Sequence, residues 1–376
     1  MQKKLIALAV AAATSGAAFA QTNVTIYGTV DMGYLHRGGN SGGVQNTLGS
    51  HNLQSNSAQS AIGFKGIEDL GNGLKALFDL QYRITPDSNT GLGTAGHQYV
   101  GLTGGFGTAV AGYLDGIRYG IYGKYNPFGN YSVGNFTSMT TQYDRAQNAV
   151  AYISPSFAGF TAIVAYATNT QSTEGGLNAV HVPAGPAGGN KGDDQLYSVN
   201  LIYANGPLSI DLDYETTRAV GYGDSRLFVA TAGASYDFGV VKISGLYDII
   251  KGDRNSLIGG NIDLDATTAG LQNLGNLAAD QQYNRRNWFV GAAVPFGKFK
   301  GLVSYGQVKD KTLTNADASK WGIGVRYELS KRTELYADYA RIRNDANARF
   351  TMNPMGNNSG TSGGVSGIDF GIKHNF

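Results

Sequence analysis

Apolar and polar side chains alternate along most of the chain after residue 23. In residues 74–83, for example, Leu74, Phe78 and Tyr82 fall on one face, while Lys75 and Asp79 fall on the other. Alternation with a period of two predicts β-strands that have one apolar and one polar face. About sixteen such segments follow one another, and short turns alternate with long loops between them. The pattern predicts an all-β fold.

Each predicted strand begins and ends at a change of pattern or at a turn signal. The predicted strands are residues 24–37, 60–66, 74–83, 97–103, 108–115, 145–154, 160–169, 196–203, 208–215, 226–238, 240–251, 286–296, 300–310, 320–330, 333–344 and 367–376.

An even number of strands, joined by short turns at one end and long loops at the other, is typical of a transmembrane antiparallel β-barrel. In hydrocarbon a sheet satisfies its backbone hydrogen bonds only by closing on itself. A pair of soluble β-sandwiches is the alternative, but it would not place charges on the polar face of strand after strand. We therefore predict a barrel whose apolar face meets lipid. A bore of about sixteen strands is too wide for side chains to fill, so a water-filled lumen remains.

Residues 116–143 do not show the alternation of apolar and polar positions. They contain no carboxylate, and their two cations are Arg118 and Lys124. Because they show neither alternation nor a helical stripe, we expect a long loop without regular structure, and such loops are usually functional or disordered. This one is too aromatic for disorder, and we expect it to fold into the barrel and constrict the lumen. Its rings are Tyr119, Tyr122, Tyr125, Phe128, Tyr131, Phe136 and Tyr143.

The first twenty residues have the pattern of a secretory signal peptide. Lys3 and Lys4 precede a short apolar core at residues 5–13, and Ala18 and Ala20 form an A-x-A cleavage pattern. The apolar core is too short to span a membrane, although a buried N-terminal helix is the alternative. We expect residues 1–20 to be removed and residues 21–376 to form one exported barrel domain.

The composition excludes several kinds of partner and binding site. Without Lys3 and Lys4, the 29 basic residues become 27 and balance the 27 acidic ones, which argues against a nucleic-acid partner. With no cysteine there is no disulfide framework and no Cys-based zinc site, and we expect no cofactor.

Three carboxylates, Asp211, Asp213 and Glu215, share one face of a predicted strand. A carboxylate-lined wall is favoured there over a calcium site, because calcium takes six or more converging oxygens.

Several motifs together resemble one family over essentially the whole mature chain. They are Val24-Thr25-Ile26-Tyr27-Gly28, Gly63-Phe64-Lys65-Gly66, Glu68-Asp69-Leu70-Gly71, Val100-Gly101-Leu102, Gly105-Phe106-Gly107, the run from Asn148 to Pro155, Phe157-Ala158-Gly159-Phe160, and the ending His374-Asn375-Phe376. This combination is similar to the general porins of Gram-negative bacteria, most of all those of beta-proteobacteria. The resemblance implies a homotrimeric, sixteen-stranded channel in the outer-membrane lipid, with its third external loop in the bore. It also implies passive diffusion of ions and small hydrophilic solutes. Phe376 matches the assembly signal that such barrels show to the insertion machinery.

The chain differs from the family in the charged residues of the barrel wall and of the inward loop. In the family, arginines on the wall face acidic groups on the inward loop. Here Ala61, His97 and Tyr113 stand where arginines are common, and the loop lacks an acid near Phe128, while Arg145 still matches. We therefore expect a weaker transverse field and a more aromatic constriction.

Two groups of residues are candidates for lining the pore. Cations on the lumen side would attract anions, and the alternative is an ordinary solvated wall. The rings could offer a sliding surface to solutes, but packing of the loop against the wall is favoured. The candidates are the cations Arg145, Arg118, Lys124, Lys65, Lys75 and Arg83, and the rings Tyr113, Tyr122, Tyr125 and Phe128.

These observations predict an outer-membrane porin with a weak preference for anions. The alternative is a substrate-specific outer-membrane channel for an aromatic or carboxylated small molecule, and a third class is a surface-adhesion barrel. We do not expect an enzyme. The 5 histidines have no recognisable partner motif, and a hydrolase needs a base and a nucleophile within reach of each other.

Overall fold

A computed structural model gives the fold. It describes residues 23–44, 49–88, 91–140, 145–168, 195–219, 225–253, 282–312, 315–352 and 364–376. Their strands form one 17-stranded antiparallel sheet. The strands are β1 (Asn23–Gly38), β2 (Ser50–Gln54), β3 (Ala61–Gly71), β4 (Leu74–Ile84), β5 (Leu92–Gly104), β6 (Gly107–Asp115), β7 (Arg145–Ile153), β8 (Phe160–Ala167), β9 (Gln195–Asn205), β10 (Leu208–Ala219), β11 (Ser225–Asp237), β12 (Lys242–Asp253), β13 (Gln282–Phe296), β14 (Phe299–Asp310), β15 (Ala318–Glu328), β16 (Thr333–Asn344) and β17 (Ser366–Asn375).

The sheet closes on itself. β1 pairs with β17 along one edge, and along its other edge it pairs first with β3 and then with β2. β2 and β3 therefore lie in one line and share a single position in the wall, which makes a barrel of sixteen positions. The predicted barrel of about sixteen strands is confirmed. The short β2 was not predicted.

The last residue of the chain completes the ring. The Phe376 N–H donates to the Gly28 carbonyl at 3.1 Å, and the Gly28 N–H donates to the Phe376 carbonyl at 3.2 Å. A Cβ on Gly28 would lie 2.5 Å from the Phe376 ring. The C-terminus is therefore seated directly against the first strand.

The two faces of the barrel differ as the alternation predicts. Side chains on the outer face are apolar and exposed, such as Ile26 at 59% and Leu212 at 51%. Side chains on the inner face are polar and buried, such as Asp31 at 0% and Asp211 at 3%. An apolar outer surface around a polar interior is the arrangement that a lipid-embedded barrel requires.

The two ends of the barrel also differ. Short connections lie at one end, where both the start of β1 and the end of β17 are found; we call this the turn end. The longer connections lie at the other end, which we call the loop end. Among the described residues, no helix is long and apolar enough to cross a membrane.

The described part of the long connection after β6 is not irregular throughout. Residues Ile117–Tyr125 form helix α1, so the expectation of a loop without regular structure is wrong there. The buried residues of α1 are Arg118, Ile121, Tyr122 and Tyr125, which is a helical stripe. The arginine within this stripe hid it in the sequence. Residues 1–20 and Tyr143 lie outside the described residues.

Candidate functional site

Residues 116–140 cross the inner face of the barrel, and we call them the inner segment. Helix α1 packs on β10, β11 and β12. The rest of the inner segment continues along the wall, where the Val133 N–H donates to Asp369 of β17 at 2.9 Å. One segment thus contacts the wall from β10 to β17, which brings it inside the barrel.

Arg118 is the deepest anchor of the inner segment. Its guanidinium donates to the Asp248 carboxylate at 2.5 Å and to the Thr231 hydroxyl at 3.1 Å, and its backbone N–H donates to Glu215 at 3.3 Å. Neither the Arg118 nor the Asp248 side chain is exposed. Burial acts to lower the pKa of Arg118, but the Asp248 carboxylate, with smaller contributions from Tyr122 and Glu215, outweighs it and raises the pKa. Arg118 is therefore a permanent cation matched by wall acids.

Tyr122 shares the same wall carboxylate. Its hydroxyl donates to Asp248, and its side chain is fully buried beside Phe289. Burial raises the pKa of Tyr122 well above its ordinary value, and the Asp248 charge adds to the rise. The hydroxyl therefore stays protonated and remains a donor.

A second anchor lies one helical turn further along. The Lys124 ammonium and the Tyr125 hydroxyl both donate to the carboxylate of Asp211. The Tyr125 side chain is fully buried and lies over Gly233, where a Cβ would come within 2.4 Å of its ring. Burial, followed by the Asp211 charge, raises the pKa of Tyr125. The carboxylates that the sequence placed along one face of β10 thus face the inner segment.

The second half of the inner segment binds the wall through uncharged groups. Phe128 is 3% exposed and packs against Gly322 of β15. The Ser132 hydroxyl donates to Asp338, whose carboxylate also accepts two hydrogen bonds from Arg326, one at 2.5 Å and one at 2.8 Å. The Asp338 carboxylate on this side is therefore also paired with a wall cation.

The wall that the inner segment leaves open carries a different network. His97 of β5 lies between two carboxylates: its Nδ1 is 3.0 Å from Asp115, and its Nε2 is 3.4 Å from Asp79. The Tyr27 hydroxyl donates to Asp79 at 2.5 Å. The Arg145 Nε lies 3.1 Å from Asp115. Tyr27, Asp79 and Asp115 were not among the predicted site residues; their position on polar faces of neighbouring strands is the signal that could have found them.

The remaining predicted cations lie on the same open wall. The Lys65 ammonium is 4.8 Å from the centre of the Tyr27 ring, and Lys65 pairs in register with Asp79. Arg83 and Lys75 are half-buried on the same face of β4. Lys75 lies toward the turn end, away from Arg83. The structure thus brings Lys65 close to the His97 network and sets Lys75 apart from it.

Tyr113, a predicted pore-lining residue, does not lie on the lumen side of the wall. It pairs in register with Gln98, which belongs to the outward-facing row of β5 with Val100 and Leu102. The pairing of β6 with β7 shifts register between Gly112 and Leu114, so the alternation cannot be extended through this point.

One contact joins the inner segment to the open wall. The Arg145 guanidinium lies 5.6 Å from the centre of the Tyr119 ring. The Tyr119 and Tyr131 hydroxyls are 2.6 Å apart, and the Tyr131 hydroxyl donates to Gln59 at 3.0 Å. Of the loop rings, the half-buried Tyr119 and Tyr131 face the remaining space, whereas the candidates Tyr122, Tyr125 and Phe128 pack on the wall.

Comparison with known proteins agrees with this architecture. Residues 7–347 match the family model described as Gram-negative porin. The chain is 31% identical over 397 residues to outer membrane porin protein 32 of Delftia acidovorans, covering 100% of both chains. It is 28% identical to an outer membrane porin protein of Bordetella pertussis, covering 92% of this chain and 95% of the relative.

Solved structures share the fold. The anion-selective porin from Comamonas acidovorans superposes with a TM-score of 0.72 at 26% identity, covering 95% of this chain and 100% of that one. The outer-membrane expressed OmpT of Vibrio cholerae gives a TM-score of 0.65 at 14% identity, covering 96% and 99%, and shares the fold alone.

Proposed function

The chain belongs to the Gram-negative porin family and forms a water-filled channel through the outer membrane, and we propose that this channel, which passes ions and small hydrophilic solutes passively, weakly prefers anions. The beta-proteobacterial resemblance is confirmed by the relatives from Delftia and Bordetella. The family consists of channels rather than enzymes.

The observation that carries the preference is the distribution of paired charges. The two cations of the inner segment are compensated: Arg118 by Asp248, and Lys124 by Asp211. They add little net charge to the lumen, which leaves the open wall as the proposed source of the selectivity.

Cations exceed acids around His97 on that wall. The cations there are Lys65, Arg83 and Arg145, against Asp79 and Asp115. Charges lining a pore set its ion selectivity. A surplus this small supports a weak preference for anions. The likeness to a solved anion-selective porin points the same way.

The inner segment is proposed as the constriction. It occupies the barrel along β10–β17 and presents Tyr119 and Tyr131 to the space that remains. The substrate-specific alternative relied on exposed rings as a sliding surface. Burial of Tyr122, Tyr125 and Phe128 against the wall does not favour it.

Reversal potentials in a salt gradient across a planar bilayer test the preference. We expect a weakly anion-selective wild-type channel, and a shift toward cations in Lys65→Gln and in Arg83→Gln. Lys331→Gln, at an exposed turn position, is the control and should leave the potential unchanged. Cation selectivity of the wild type would overturn the proposal.

Assembly completes the proposal. We propose that residues 1–20 are removed on export, that residues 21–376 form the barrel domain, and that three copies associate in the outer-membrane lipid. Phe376 is proposed as the signal read by the insertion machinery. The mass of the native complex in mild detergent tests the trimer, and insertion kinetics of a chain lacking Phe376 test the signal.

A further inference from the structure

Two histidines meet on the outer face of the barrel at its loop end, and we call them the histidine pair. His36 of β1 and His51 of β2 lie directly opposite each other in register. Both belong to outward-facing rows: His36 pairs on its other side with the exposed Ile368, and His51 is two residues from Leu53, which is 67% exposed. No sequence motif joins the two histidines, because the strand that carries His51 is too short to be recognised.

The two imidazole rings lie side by side. Their centres are 4.3 Å apart and their planes are inclined by 30°. A tetrahedral ion that binds two imidazole nitrogens at about 2.0–2.1 Å needs those nitrogens roughly 3.3 Å apart. Rings this close reach that spacing after a small change of tilt, without any movement of the strands.

Each ring is held through its Nδ1 atom. The His36 Nδ1 is 3.1 Å from the Ser50 carbonyl oxygen. Because a carbonyl only accepts, this nitrogen carries the proton and the lone pair is on Nε2. The His51 Nδ1 is hydrogen-bonded to the Tyr34 hydroxyl, which is able to accept from an Nδ1–H. Metal-binding histidines are usually held in this way, with one ring nitrogen donating to the protein and the other facing the ion.

The Nε2 atoms are the ones left for a ligand. Within the described ranges of the chain, neither Nε2 has a hydrogen-bond partner. A Cβ on Gly38 would lie 3.7 Å from the His36 Nε2, so glycine at this position leaves the space beside that nitrogen open. Two donor atoms are therefore available on neighbouring rings.

Aromatic packing at the membrane interface explains only part of this arrangement. Tyr34 packs on Phe370 with ring centres 5.3 Å apart, as expected for the ring-bearing girdle of a barrel. Such packing accounts for a group of rings at this height. It favours neither ring nitrogen over the other, whereas both histidines contact the protein through Nδ1.

The donor atoms select the class of ion. Imidazole suits Zn²⁺, Cu²⁺ and Ni²⁺, whereas Ca²⁺ and Mg²⁺ take oxygen ligands. Among the residues that the structure describes, no group of three or more His, Cys, Asp or Glu side chains is placed to hold a metal ion. The remaining coordination positions therefore belong to water or to a ligand from outside, and the site is open rather than closed.

We infer that the histidine pair chelates one divalent transition-metal ion of the zinc and copper class per chain, through the Nε2 atoms of His36 and His51. The bound ion joins β1 to β2 and adds to the hydrogen bonds that hold this short strand in the wall. The inference is independent of the ion selectivity of the channel, because the pair lies outside the lumen.

Competition for Zn²⁺ against a chromophoric chelator tests the site in the detergent-solubilised mature porin, purified without a histidine tag. The variants are His36→Gln and His51→Gln, each made alone. The matched control is His181→Gln/His374→Gln, which removes two histidines elsewhere in the sequence, His374 being exposed at the turn end. Channel conductance shows that each barrel has formed.

We expect the wild type to bind one Zn²⁺ per chain. Each single variant should bind at least about tenfold more weakly, since removing even an outer-shell partner of a metal site costs about that much. The control should match the wild type, and excess Ca²⁺ should not compete. Zn²⁺ should raise the unfolding temperature of the wild type but not that of either single variant, because an ion that binds only the folded state stabilises it.

The electron paramagnetic resonance spectrum of one equivalent of Cu²⁺ counts the nitrogen ligands directly. It should show two imidazole nitrogens in the wild type and in the control, and one in each single variant. Unchanged affinity in either single variant would overturn the inference, since a chelate needs both rings. A ratio of one ion to two or three chains would do so too, and would assign the ion to an interface between copies. Equal loss in the control and the single variants would show adsorption to surface histidines and reject the site.

Discussion

The guanidinium of Arg118 on helix α1 meets the carboxylate of Asp248 on β12 with both side chains at 0% exposure. The two residues are 130 positions apart in the sequence. A buried pair does not by itself make a protein stable, since both charges lose their hydration. Its effect is to fix position, because moving the inner segment away would leave Asp248 without a partner.

Removing the cation from this pair should release the inner segment. In Arg118→Met, Asp248 becomes a buried charge without its cation, and loss of one partner of a buried pair costs about 3–5 kcal/mol. We expect a lower unfolding temperature and a larger, noisier single-channel conductance. Lys309→Gln is the control, because its pair with Asp317 is partly exposed and such pairs contribute about 0–1 kcal/mol. Unchanged conductance in Arg118→Met would mean that other contacts alone hold the segment.

The open wall should become more anion-selective when an acid is removed. Asp115→Asn keeps the shape of the side chain and its capacity to bond to His97, but it removes a charge that is 43% exposed. The reversal potential should therefore shift toward anions. Asp310→Asn is the comparison: this side chain is 1% exposed and already paired with Arg285, so it should scarcely change selectivity. The idea fails if both substitutions shift the potential equally.

Glycines in the wall make room for the rings of the inner segment. At Gly233 a Cβ would lie 2.4 Å from the Tyr125 ring. Gly233→Val should therefore cost about 1–3 kcal/mol through overpacking and should displace α1. Gly120→Ala, on the helix itself, meets nothing within 4 Å and should be neutral or stabilise by about 0.5–1 kcal/mol. Thermal unfolding of both variants checks this pair, and a Gly233→Val barrel as stable as the wild type would contradict the packing.

We expect rising pH to loosen the inner segment only above about pH 10, the ordinary pKa of a tyrosine. The pKa of Tyr122 is raised in the folded protein, chiefly by burial and then by Asp248, above its ordinary value of 10.0. A raised folded-state pKa adds stability that is complete below the ordinary value and is lost as pH rises through the folded-state value. Single-channel conductance should therefore stay constant from neutral pH to about 10 and change only above it. Tyr122→Phe removes the titrating hydroxyl and should flatten the alkaline change. A conductance change in the wild type near pH 8 would argue against this origin.

The sequence predicted the barrel well because the period of two is local. Each strand shows its own lipid and lumen faces, so Ile26 and Leu212 were assigned outward without knowledge of any neighbour. β2 was not predicted because a strand of five residues is too short to show the alternation of apolar and polar positions. Helix α1 was not predicted because Arg118 interrupts an otherwise apolar stripe.

The site was harder to predict because the residues that form its ion pairs lie far apart in the sequence. Arg118 and Lys124 had the pattern of free cations, since the acids that pair with them lie on β10 and β12, far along the chain. Tyr113 was assigned to the lumen because it stands where the resembling family often carries an arginine, but it pairs in register with Gln98 of the outward-facing row, beside a register shift. Pairing across a closed barrel depends on three-dimensional register, which a single sequence does not contain.

The hydrogen bonds between Gly28 and Phe376 set a condition on biogenesis. The first strand to leave the export machinery receives its final neighbour only when the last residue has been delivered. Until then an unpaired edge persists, open to pairing with other chains and incompatible with hydrocarbon. A polypeptide that stops a few residues short should therefore be a substrate for periplasmic proteases rather than a slightly weaker channel.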